Sequence, residues 1–187
     1  MKILLPVLLL FVLSNCTNDY NEVQAITQNN NLNIEEAEDV IILYSDSAAL
    51  QVRITAKTMI RHNNKSDPYD EFPNGIFVEF LGDNGSVYSW LEADRAIRKE
   101  KKSEVITKGN VKFYNKKKET LTSTELIWNE NTKKLSTNKF VRIIQPMKGD
   151  TSLGFGFETN EEFSQFEIKH KTSSRFNIDN LVAKTGK

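Results

Sequence analysis

Leu91-Glu92-Ala93-Asp94-Arg95-Ala96-Ile97-Arg98 decides the fold, because its pattern occurs twice more in the chain. Ile54-Thr55-Ala56-Lys57-Thr58-Met59-Ile60-Arg61 precedes it, and Leu121-Thr122-Ser123-Thr124-Glu125-Leu126-Ile127-Trp128 follows it. Each copy has a large aliphatic residue, a small residue two places on, and an apolar residue three places beyond that. A step of two puts successive side chains on one face of a strand. A step of three keeps the next one on that face only where the strand bulges or bends. A second unit recurs nearby, as Val78-Glu79-Phe80, Val111-Lys112-Phe113 and Val141-Arg142-Ile143. Its copies start 33 and 30 residues apart, and those of the first unit 37 and 30. Units of this length, each with an apolar face it cannot cover alone, predict stacked hairpins.

The flanking sequence reads the same way. Leu50, Val52, Ile54 and Ala56 alternate with Gln51, Arg53, Thr55 and Lys57, and Ile76, Val78 and Phe80 alternate with Phe77 and Glu79. This period of two is that of a strand with one face buried. Asp83-Asn84-Gly85 is a hairpin turn, since Asn and Gly accept the positive φ that a tight turn requires. Residues 111–113, 121–128 and 140–144 read as further strands, with polar turns at 115–118 and 129–131. No stretch among them keeps a helical period. The expected class is all-β and antiparallel: an open β-jelly roll, or a short β-solenoid of stacked hairpins.

The chain begins with Lys2 and an apolar run over residues 3–13, too short to span a bilayer core of about 30 Å as a helix. That is the pattern of a secretory signal. The residues after it, Leu13-Ser14-Asn15-Cys16, resemble the bacterial lipobox, with Asn15 where Gly or Ala is usual. The resemblance implies that Cys16 receives a lipid and becomes the mature first residue. Cys16 is the only cysteine, so no disulfide forms within the chain. The expected organisation is a signal peptide over 1–15, a lipidated and flexible tether over 16–39, a β domain over 40–170 and a tail over 171–187. Asn and Gln crowd the tether, and residues 34–39 at its end have the option of one helical turn. The 25 basic and 25 acidic residues balance, and loss of residues 1–15 removes only Lys2. Such a surface does not capture nucleic acid by overall charge.

The residue types that carry catalysis are not assembled. His62 and His170, the two histidines, lie far apart beside basic or polar turns. Asp67, Asp70 and Glu71 share a stretch with Pro68 and Pro73 that reads as a solvated loop. There is no Gly-rich phosphate loop, His/Cys metal spacing or Ser nucleophile elbow. The expectation is no enzyme, no cofactor and no metal. Lys99, Lys101, Lys102 and residues 116–118 form basic turns whose first role is solubility, with contact to lipid phosphates as an alternative.

Leu91-Glu92-Ala93-Asp94-Arg95-Ala96, Lys108-Gly109-Asn110-Val111 and Leu121-Thr122-Ser123-Thr124-Glu125-Leu126 together resemble the periplasmic OstA-like domains of lipopolysaccharide transport. Their order is most similar to the LptC family, in the lipoprotein form found in Bacteroidetes. Leu43-Tyr44-Ser45-Asp46, Phe72-Pro73-Asn74-Gly75-Ile76 and the run Leu153-Gly154-Phe155-Gly156-Phe157-Glu158 fit the same order, over residues 40–168. Many relatives carry an N-terminal membrane helix, for which a lipid on Cys16 would substitute here. The resemblance implies a periplasmic protein, anchored by its lipid at the inner membrane, that accepts lipopolysaccharide from an inner-membrane ATP-binding-cassette transporter. It would pass the lipid A acyl chains to an OstA-like, LptA-like bridge protein.

Transport of this kind needs an apolar path. A chain of about twelve carbons costs roughly 10 kcal/mol to expose, at about 0.8 kcal/mol per CH₂. Ile54, Ala56, Val78, Phe80, Leu91, Ala93, Val111, Phe113, Leu121, Ser123, Val141 and Ile143 would line a trough, each with ordinary core packing as the alternative. Residues 153–168 close the series of repeats. Phe155, Phe157, Phe163 and Phe166 would therefore lie on an open edge that docks the bridge protein by strand addition. The alternative function is a surface or periplasmic lipoprotein that binds glycans or small lipids, with Trp90 and Trp128 as the available aromatic platforms.

Overall fold

The structure, a computed structural model, describes residues 33–46 and 48–175. The signal, Cys16 and most of the tether lie outside those residues, as does the end of the tail. The described chain forms β1 (Ile34–Asp46), β2 (Ala49–His62), β3 (Tyr69–Phe72), β4 (Ile76–Leu81), β5 (Val87–Ala93) and β6 (Arg95–Lys99). A 3₁₀ turn (Glu100–Lys102) leads to β7 (Glu104–Asn115), β8 (Thr120–Asn129), β9 (Lys134–Gln145), β10 (Asp150–Asn160) and β11 (Phe166–Arg175). Every pairing is antiparallel, in a single jelly-roll-like sheet with the order β11-β10-β9-β8-β7-β5-β4-β2-β3-β6 and β1 on the other side of β2. The Asp83-Asn84-Gly85 turn closes as read, with the Gly85 N–H donating to the Gly82 carbonyl at 2.8 Å.

Two long strands explain how one sheet encloses a core. Residues 52–55 of β2 pair with β4, whereas residues 60–62 pair with β3. Residues 112–115 of β7 likewise pair with β5, and residues 104–108 pair with β6. The short strands thus fill two half-sheets, β4 and β5 in the first, β3 and β6 in the second. Both halves hang from the same long strands. β8, β9 and β10 continue through both, with register shifts between Ser123 and Ile127 on β8 and between Phe155 and Phe157 on β10. The line along which the strands fold over is a bend seam.

The three-residue step of the repeat lies on this seam. Leu91, Ala93 and Ala96 are buried where β5 gives way to β6, and Leu121 and Leu126 are buried on either side of the β8 shift. The first copy differs. Burial in β2 continues in steps of two through Ile54, Ala56 and Thr58, and Met59 packs only partly against the core. Here the strand bends smoothly, with no register shift opposite β1 over this stretch. At Gly109 the seam demands glycine. Its φ is +98°, and a Cβ there would lie 2.4 Å from Asp94 Oδ2. Asp94 accepts hydrogen bonds from the backbone N–H and side-chain amide of Asn110, at 3.0 and 2.9 Å, and so ties the β5–β6 corner to β7.

Some expectations need correction. Residues 34–39 form neither tether nor helical turn: they are the first half of β1, paired with residues 58–62 of β2. The β structure also runs past residue 170, to Arg175. Asp70 is no loop residue in solvent. It lies in β3 with 2% of its side chain exposed and accepts from Arg61 Nε at 2.8 Å, because the chain between the two prolines pairs with β2 and β6. His62 is only part exposed, stacked on Tyr69 with ring centroids 4.1 Å apart. Nor does β10 form an outer edge. It pairs with β9 on one side and β11 on the other; Phe157 is buried on its inner face, and Phe163, in the connection to β11, is buried against Phe113, Phe157 and Phe166. Only Phe155 of that group is exposed, against Phe140. The edges of the described sheet are β1 and β11.

Candidate functional site: an apolar interior closed by a polar slit

The inner faces of the two half-sheets enclose one continuous apolar interior. Ile54, Ala56, Val78, Phe80, Leu91, Ala93, Val111, Phe113, Leu121, Val141 and Ile143 all belong to it, and each is buried. Pairing aligns them across the strands: Ile54 lies opposite Val78, Val78 opposite Leu91, Leu91 opposite Phe113, Phe113 opposite Leu121, and Leu121 opposite Ile143. Ser123, expected in the same row, is half-buried at the seam and donates to the Phe140 carbonyl at 2.9 Å. The second half-sheet supplies Phe72, Val105, Leu126, Trp128, Leu135 and Phe157. Phe80 and Trp128, from opposite halves, meet edge to face at 5.3 Å.

The outer face of the same strands is polar or charged. Arg53 pairs with Glu79 at 2.8 Å, and the Tyr114 hydroxyl donates to Glu92. Burial and that bond raise the Tyr114 pKa to about 12. Trp90 stacks on Tyr114, with centroids 5.4 Å apart and 16° between planes. Trp128 is inside. Trp128 therefore offers no exposed face for a glycan platform, and Trp90 has one ring face taken by Tyr114.

Opposite the seam, where the half-sheets are not joined by backbone, polar side chains close the interior. Three groups do so in sequence. At the β1 end, Arg98 donates to Glu130 from Nε at 2.7 Å, lies 3.6 Å from the buried Asp70 and covers the Tyr44 ring at 5.3 Å. Burial and the Glu130 charge push the Tyr44 hydroxyl up to about 12. In the middle, Glu161 accepts from Trp128 Nε1 at 2.8 Å and from the Tyr88 hydroxyl at 3.3 Å, and its backbone carbonyl accepts from the Ser89 hydroxyl. Burial pushes the Glu161 carboxyl above the usual glutamate range, against the opposing pull of the Trp128 bond and Lys133. At the β10–β11 end, Phe163 sits between Phe113 and Phe157, with ring centroids 5.1 and 6.0 Å away, while Asn115 donates to its carbonyl. Among the described residues, no cluster of His, Cys, Asp and Glu fits a metal ion.

This interior, lined by the repeated units of a two-halved jelly roll, is what the order of motifs implies, and the whole chain agrees with it. The family model for lipopolysaccharide assembly, LptC-related, matches residues 2–177. The chain belongs to the LptC family. That family is a non-enzymatic part of lipopolysaccharide transport, periplasmic and associated with the inner membrane. A search of curated proteins finds no match.

Sequence reasoning placed the inner row but missed the slit. Glu161 stands in the polar run Thr159-Asn160-Glu161-Glu162, which reads as a surface turn. Its partners Tyr88 and Trp128 lie 73 and 33 residues away. Nothing local marks it as buried.

Proposed function

We propose that this protein carries lipopolysaccharide by its acyl chains, taking it from an inner-membrane ATP-binding-cassette transporter and passing it to an OstA-like bridge protein. The observation that supports this most is the single apolar face that runs unbroken from β2 to β9 across the repeated units. An acyl conduit needs such a lining, because every interruption would cost the chain its apolar contact at about 0.8 kcal/mol per CH₂. The open edges suit the two hand-overs. β1 follows the N-terminal segment and offers unpaired backbone groups with Ile41 and Leu43 exposed, which fits the transporter side. β11 takes the place of the expected β10 edge and suits the bridge protein, by strand addition. A lipid on Cys16 would hold β1 at the membrane.

Two experiments test the reading. Photo-crosslinking residues at Val78, Phe113 and Leu121 should capture lipopolysaccharide in cells with an active transporter, and the same probe at Glu79, Lys112 or Thr122 should not. Equal capture from both faces would mean that lipid merely coats the surface. For the anchor, intact mass spectrometry of membrane-extracted protein should find acyl mass at Cys16. A mature chain without it, cleaved at another bond, would end the lipoprotein assignment.

A further inference from the structure

Beside Phe163 a cleft of about 740 Å³ opens to solvent, within the range of small-molecule sites. Phe163, Phe166 and Met147 give it an apolar wall, and Met147 is 78% exposed. Lys117 and Lys148 stand at its rim on the β7–β8 and β9–β10 turns. Glu119 also lines the cleft, but its two oxygens accept from Asn115 at 2.8 Å and Gln145 at 2.7 Å. Apolar wall and cationic rim together complement a lipid chain next to a phosphate.

Beside Phe166, which also lines the cleft and packs against the core, Phe163 stands between the cleft and the apolar interior. It is 1% exposed, although it sits in the short connection between β10 and β11. Its φ is +54°, a left-handed conformation that a bulky residue adopts only when its surroundings hold it there. The holding contacts are the Glu161 bonds to Trp128, Tyr88 and Ser89, the Asn115 bond to the Phe163 carbonyl and, within the turn, the Phe163 N–H donating to the Asn160 carbonyl at 3.1 Å. None of them belongs to the backbone ladder of the sheet.

We propose that the cleft is the acyl-chain portal at the β11 end, taking one acyl chain of lipid A with a lipid phosphate at Lys117 and Lys148, and that Phe163 is the plug this chain displaces. The proposal rests on the conduit reading above and adds the opening at its bridge-protein end. Phe163 fills the volume that the first methylenes enter. As it leaves, the turn lifts and Glu161 parts from Trp128.

Two tryptophans are present, so Trp90→Phe in the full chain leaves Trp128 as sole reporter. Purified hexa-acyl lipid A, added to that protein, should shift the Trp128 emission as its bond to Glu161 breaks. Phe163→Ala should bind lipid A at least about tenfold more tightly, since the chain no longer has to expel a ring. Lys117→Ala with Lys148→Ala should weaken binding of lipid A but not of its dephosphorylated form. If lipid A crosslinks to a probe at Phe113 while the Trp128 emission stays unchanged, the plug is overturned and the conduit stands. If no interior probe captures lipid, both fail. Unchanged or weaker binding by a folded Phe163→Ala would make the ring ordinary core and overturn the proposal. Should that variant fail to fold, the Trp128 emission of the plug-intact chain decides.

Discussion

The two long borders of the interior are built differently. Along the seam, the half-sheets are joined by continuous backbone, with bulges and Gly109 setting the bend. Along the slit, they are joined by side chains: Arg98 over Tyr44, Glu161 to Tyr88 and Ser89, and Phe163 against Phe113. Opening the seam would break the strand ladder. Opening the slit breaks a few hydrogen bonds, each worth about 0.5–1.5 kcal/mol net, and parts apolar contacts such as Phe80 on Trp128, but no strand ladder. One border is a hinge spine and the other a closure, which suits a container that must load and unload.

The largest effect should come from the spine. Gly109→Val forces a β-branched residue into a φ of +98° and drives its Cβ onto Asp94, breaking the corner bonds to Asn110. A loss of about 3–4 kcal/mol is expected in chemical denaturation. A loss below about 1 kcal/mol would show that the bend does not depend on this position.

On the closure side, Phe163→Ala should cost about 1–3 kcal/mol, less than Phe113→Ala at about 3–5 kcal/mol. Both rings are buried, but the turn that carries Phe163 can relax into the space and out of its left-handed conformation, whereas β7 cannot. Equal losses would place Phe163 in the permanent core. Trp128→Phe keeps most of the apolar contact with Phe80 and removes only the donor to buried Glu161, so about 1–2 kcal/mol should go. Thermal unfolding resolves this, since each kcal/mol moves Tm by about 2–4 °C in a domain of this size.

The inner row was legible from the sequence, and the closure was not. Alternation at Val78, Phe80, Val111 and Phe113 records which face is buried, because strand geometry ties each side chain to its neighbour two places away. The step of three at Leu91-x-Ala93-x-x-Ala96 marked the bend for the same reason. Edges are set by which strands pair, and pairing is not local. The stretch from Leu153 to Phe157 looked terminal only because β11, with His170, Lys171 and Thr172, lacks apolar alternation. Buried charges hid in the same way: Asp70 is buried because β2 and β6 bring Arg61 and Arg98 to it.

A smaller effect is a matter of pH. Burial holds the Glu161 carboxyl above its ordinary value, so the folded protein keeps a proton there that the unfolded chain has already released. Stability should therefore rise as pH falls from neutral through the folded value, and level off below the unfolded value of about 4.3. Lys133 and the Tyr88 and Trp128 bonds oppose the shift and limit the gain. Glu161→Gln should remove this component from the pH profile. A variant that keeps the full wild-type profile would assign the dependence to another group.

The most direct test fastens the closure itself. Asp46 and Lys133 face each other across the slit, with Nζ and Oδ2 3.5 Å apart, on β1 and on the β8–β9 turn. Cysteines at both positions, joined by a short bis-maleimide, would staple the half-sheets together. Cysteines at Arg53 and Glu79, joined in the same way, would staple two strands within one half-sheet and serve as the control. Lipopolysaccharide loading is then measured by photo-crosslinking at Phe113 in membranes energised with ATP. The slit staple should abolish capture and the control staple should leave it intact. Undiminished capture with the slit stapled would show that lipid reaches Phe113 without the half-sheets parting, and would contradict the account.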